Sequence, residues 1–139
     1  MSSAVLKPFA LEPNMLTMGG VFYPTGYIFI MFPTDEDRAQ AIDLLMTDGY
    51  SGESFMEVSS EAVLGTIAST VGSADIPLPS AGTEANTVRR FAELASQGHR
   101  ALMIHAPSAE ETGHIMTVLR RSRISYAQKY RQLVIEDLA

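Results

Sequence analysis

GYIFIMFPTDEDRAQAIDLLMTDGY, residues 26–50, holds an apolar run, a proline, a helix cap and an amphipathic helix in that order. The same succession returns in RALMIHAPSAEETGHIMTVLRRSRI, residues 100–124, with Pro107 standing 74 positions after Pro33. Each apolar run has the length and composition of a strand buried on both faces, and each is stopped by its proline. Thr34 and Ser108 then stand where a helix cap is needed. Asp35, Glu36 and Asp37 put negative charge at the positive end of the first helix dipole, and Ser108-Ala109-Glu110-Glu111 is a capping box. Ala41, Ile42, Leu45 and Met46 form one apolar helix face, which Gly49 ends; Ile115, Met116, Val118 and Leu119 form the other. When the copies are aligned, Ile28, Ile30 and Phe32 match Leu102, Ile104 and Ala106, so they agree in period as well as in order.

Between the copies, residues 53–58 alternate weakly, with Phe55 and Glu57 on one side and Met56 and Val58 on the other, which predicts a short strand. Ser59 or Ser60 caps a helix with Val63, Ile67 and Val71 at four-residue spacing, closed by Gly72. A proline-bearing loop leads to a helix over 84–97 that buries Val88, Phe91 and Ala95 and stops at Gly98. The C-terminal stretch predicts one or two strands, over 124–129 and 132–137. The expected fold is therefore α+β: a ferredoxin-like split βαβ sandwich with a mainly antiparallel sheet, both repeat helices on one face, and two extra helices between the halves. Residues 1–25 form an irregular arm with an edge strand near 20–23. Residues 26–139 form the single domain, with halves at 26–58 and 99–137 and the helical insertion at 59–98.

Composition bounds the function. At 139 residues the chain is one domain, and folding removes roughly two-thirds of its extended surface from water. It has no cysteine, so disulfides, thiolate nucleophiles and Cys-type zinc sites are excluded, which fits a cytoplasmic location. A net charge of −6 opposes binding to phosphate backbones. The first twenty residues lack the apolar core of a signal peptide, and 62–82 is interrupted by Asp75, Pro77 and Pro79 well short of a membrane span.

The two-residue period of strands exposes a surplus. If Ile28, Ile30, Leu102 and Ile104 face the helices, then Phe29, Met31, Met103 and His105 face the other way, where an isolated sandwich of this kind meets water. That face is too apolar for solvent. The arm, the inserted helices or a second copy of the chain must cover it, and a homodimer through Phe29, Met31, Met103 and His105 is the expectation.

Chemistry-bearing motifs are few. His99, His105 and His114 have no metal-ligand spacing, no phosphate-binding glycine motif or nucleophile elbow is present, and neither catalytic residues nor a cofactor or metal is expected. The strand signature of an RNA-recognition domain is replaced by RALMIHA. His99 and His114 are explained by helix-end and neighbouring carboxylate electrostatics. Arg120, Arg121 and Arg123 suit a helix C-terminus and can also meet an anionic partner. His105 differs, because it ends a central strand on the surplus face, where Tyr126 and Tyr130 on the next strand would join it around a small ligand.

The runs FPTDEDRAQAIDLLMTDGYSGESFMEVSSE (32–61) and GHRALMIHAPSAEETGHIMTVLRRSRI (98–124) resemble the two halves of bacterial general-stress-protein-like domains. The resemblance spans 26–137 and rests on strand patterns, acidic caps and helices ending near Gly-Tyr. It implies a stress-associated accessory protein and supplies no catalytic residues. Three functions follow. The first is a non-enzymatic, homodimeric interaction or regulatory module, which requires an apolar interface and no pocket with perturbed titratable groups. The second is a small-ligand sensor similar to ACT-type regulatory domains, with a cleft at 49–53 or 72–82. The third resembles the dimeric α/β-barrel monooxygenases, with a pocket at His105.

Overall fold

The computed structural model describes residues 7–17, 20–71, 82–132 and 134–138. Its strands are β1 (Lys7–Pro8), β2 (Tyr27–Phe32), β3 (Phe55–Val58), β4 (Arg100–His105), β5 (Tyr126–Tyr130) and β6 (Ile135–Asp137), and its helices are α1 (Asp35–Thr47), α2 (Gly82–Ser96) and α3 (Ala109–Val118). The strands form one sheet in the order β1-β3-β4-β2-β5-β6. All neighbours are antiparallel except β1 and β3, and the fold is α+β. The two apolar runs of the repeat pair with each other at the sheet centre, Ile28 opposite Ile104 and Ile30 opposite Leu102.

The helix ends form as their residues require. Thr34 Oγ1 accepts the Asp37 amide at 3.1 Å, and Ser108 Oγ accepts that of Glu111 at 3.0 Å, satisfying donors the first turn leaves open. Gly49 and Gly98 end α1 and α2 at φ +109° and +92°, a region that costs a side chain energy.

Alternation then sorts the core into two layers. Ile28, Ile30, Phe32, Leu102, Ile104 and Ala127 pack on Ala41, Ile42 and Leu45 of α1 and on Ile115 and Leu119 of the α3 end. Phe29, Met31, Ala101, Met103 and Tyr130 pack on the opposite side, against Val63, Ile67, Val88, Phe91 and Leu94, with Met15 and Phe22 of the arm. Phe29 and Phe91 stack with ring centroids 4.0 Å apart.

This second layer resolves the surplus face. Phe29, Met31 and Met103, expected to meet a second copy, are each fully buried within the chain by α2, the 62–71 segment and the arm. The inserted helices supply an apolar stripe matched to that face, so these three side chains are closed to a partner. His105, the fourth, is exposed beside the Tyr27 ring, centroids 5.1 Å apart.

Two elements differ from expectation. Residues 62–67 wind as a π-helical turn and 68–71 as a 3₁₀ turn in place of a regular α-helix. Val63, Thr66, Ile67, Thr70 and Val71 are β-branched and Gly65 is glycine, so the intrinsic α preference is weak and burial of Val63 and Ile67 decides the winding. The arm joins the sheet through Lys7–Pro8 on β3, at an edge where proline's missing N–H is tolerated. The edge strand expected near 20–23 is only a bridge between Leu16 and Phe22 outside the sheet, held down where the Phe22 amide donates to Thr70 Oγ1 at 3.0 Å. The proline-bearing loop over 72–81 lies outside the described residues.

Candidate functional site

Strand β5 carries the site. Its odd positions Ala127 and Lys129 face the α1 and α3 layer, and Lys129 stands opposite Ile28 of the central strand. The side chain is only 4% exposed. Its Nζ donates to Ala106 O at 2.6 Å and to Thr112 Oγ1 at 2.5 Å. Thr112 Oγ1 in turn donates to Ser108 O at 3.0 Å, so one hydrogen-bonded chain ties the cap of α3, its first turn and β5 together. Burial holds the Lys129 ammonium below the ordinary lysine pKa; Glu136 and Glu111 pull it up, and Arg131 adds to the lowering.

Above this lysine opens a cleft of about 840 Å³, walled by Gly26, Pro107, Thr112, Gly113, Lys129 and Arg131, with Glu136 and Leu138 on the far side. Two loop ends and the turn between β5 and β6 make its rim, because β2, β4 and β5 all reach the same end of the sheet there. Arg131 and Glu136 face each other at 4.0 Å, both exposed. Gly113 sits inside α3, where a Cβ would meet nothing within 4 Å. Glycine costs a helix interior about 1 kcal/mol relative to alanine, and here, at a position lining the cleft, no packing requires it.

The residues singled out from the sequence lie elsewhere. His105, Tyr126 and Tyr130 do share one sheet face, the α2 side, but the cleft over Lys129 does not bring them together. His105 is exposed at the strand end, and Tyr126 lies beside Phe91 and Arg90. The Tyr130 ring is packed between Phe22 and Tyr23, its hydroxyl buried without a hydrogen-bond partner among the described residues and its pKa pushed well up by burial. Of the three, only Tyr130 touches the cleft, and no residue of 49–53 does. His114 Nε2 lies 2.6 Å from Asp48 Oδ2, and His99 Nδ1 lies 2.6 Å from Ser125 Oγ, so each has a local partner. Arg120, Arg121 and Arg123 are exposed beyond α3. No cluster of three His, Asp or Glu able to hold a metal exists among the described residues, and no described helix is long and apolar enough to cross a membrane.

Lys129 was hidden in the sequence by its setting. YAQKY reads as a strand in which a lysine is ordinarily a solvated edge residue. The available signal was rarity: Lys129 is one of two lysines in a chain with eight arginines, and it falls on the inward position of an otherwise buried strand. No protein-family model, curated protein or solved structure matches the chain.

Proposed function

We propose that this chain is a small-ligand-binding regulatory module on a ferredoxin-like frame, its ligand held in the cleft over Lys129. The frame is supported by the inner strand order β3-β4-β2-β5 with α1 and α3 on one face, the arrangement expected from two βαβ halves. The single observation that carries the function is the cleft itself: an open concavity whose wall includes a buried lysine of lowered pKa and a helix glycine with no internal reason to be glycine. A purely interacting module requires no such pocket, and an enzyme centred on His105 requires one where His105 instead meets solvent. A stress-associated role rests on the pattern-level resemblance alone.

The test is thermal stabilisation of the full chain by a panel of anionic, neutral and cationic metabolites, run beside Gly113→Trp, which fills the cleft from a position with room for a side chain. At least one compound is expected to raise Tm in the native chain and not in Gly113→Trp. A panel without any shift, or shifts that persist in Gly113→Trp, overturns the reading.

A further inference from the structure

Resting on that reading, we infer that the ligand is an anion, its carboxylate or phosphate oxygen taking the remaining hydrogen of the Lys129 ammonium. The argument is one of missing counter-charge. Lys129 Nζ has two acceptors, a carbonyl and a hydroxyl, both neutral, and no ion pair within 4.0 Å among the described residues. An ammonium has three donors, so one remains. Glu136 and Glu111 are close enough to act on it electrostatically but not to pair with it.

The same molecule shows what a completed inward cation looks like. Arg38, with its side chain 12% exposed, is held by Asp35 at 2.8 Å and Glu57 at 3.2 Å and also donates to Ala101 O at 3.0 Å. A buried charge left without its partner is costly, so an arriving anion that pairs with Lys129 relieves that cost. Thr112 cannot take the place of that ligand group, because its hydroxyl oxygen is neutral and already accepts one of the ammonium hydrogens while its own hydrogen goes to Ser108 O. Arg131 at the rim adds a second cation: its contact with Glu136 at 4.0 Å is long and solvent-exposed, worth little, and gives way to an incoming anion. The apolar remainder of the ligand has Met116 and Leu138 to lie against.

The experiment titrates the isotope-labelled full chain with inorganic phosphate, succinate and the neutral succinamide at constant ionic strength, following the amides of Gly26, Thr112 and Gly113. Saturable shifts with phosphate or succinate are expected, weakened about tenfold or more in Lys129→Met. Phosphate alone or succinate alone identifies the oxyanion. Equal response to succinamide, unchanged anion affinity in Lys129→Met, or no saturable shift with either anion overturns the inference. A neutral compound excluded by Gly113→Trp overturns it while leaving the ligand-binding reading standing. Should Lys129→Met not fold, the Lys129 ¹³Cε resonance of the native chain decides: it moves saturably with the anion in the supporting case and stays fixed in the contrary one.

Discussion

Arg38 and Lys129 are both drawn inward, yet only Arg38 has carboxylates built around it. The consequence is a pH dependence with a definite sign. With its pKa below the ordinary 10.5, folded Lys129 loses its proton before the unfolded chain does, so between the two values the unfolded state binds more protons and stability rises with pH. The unfavourable charged form is fully present below that window and relieved across it. Tyr23, Tyr50, Tyr126 and Tyr130, raised chiefly by burial, act in the opposite sense above about pH 10, so the comparison that isolates the lysine is native chain against Lys129→Met. In denaturant unfolding without ligand, any stability advantage of Lys129→Met is expected to shrink as pH rises from 7 toward 10.5; a gap that is constant or widens contradicts the assignment. The same residue shows why the site was harder to read than the fold. Strand alternation tells which side Lys129 takes only once β5 is known to be covered on both faces, and while α3 lies close by in the chain, the cover from α2 comes from beyond β4 and α3.

At the scale of elements, the parts that could be read were those whose cause is local. The caps at Thr34 and Ser108, the ends at Gly49 and Gly98 and the strand runs at 27–32 and 100–105 are each decided within a few residues. Thr34→Ala removes both the bond from the Asp37 amide and the 2.7 Å bond to the Asp37 carboxylate, and is expected to cost about 1 kcal/mol in chemical denaturation. Gly113→Ala, with space for its methyl, is expected to stabilise α3 by up to about 1 kcal/mol while narrowing the cleft. A destabilisation there would mean that the glycine serves the helix and not the cleft. The segment 62–71 could not be read in the same way: its four-residue spacing suits a π turn as well as an α-helix and gives no sign of the 3₁₀ turn at 68–71, and Val63 and Ile67 seat themselves on the distant β2 and β4.

For the whole molecule, the repeat gave both apolar faces of the sheet, but not what lies over the second one. Its cover is internal, made of α2, the 62–71 turns and the arm, with Phe91 stacked on Phe29 and Phe22 set edge-on to Phe29 and Tyr130. Phe91→Ala is accordingly expected to cost about 3–5 kcal/mol, as deletion of a buried ring does; a loss below about 1 kcal/mol would show that this layer is loosely attached. With both sheet faces spent on folding, the proposed function rests on the cleft at the end of the sheet. The most direct measurement is the ¹³Cε resonance of Lys129 in the full chain during titration with the metabolite panel, Lys7 serving as the reference. The account predicts a saturable movement of Lys129 with at least one compound, abolished by Gly113→Trp; a Lys129 resonance that stays fixed throughout the panel would contradict it.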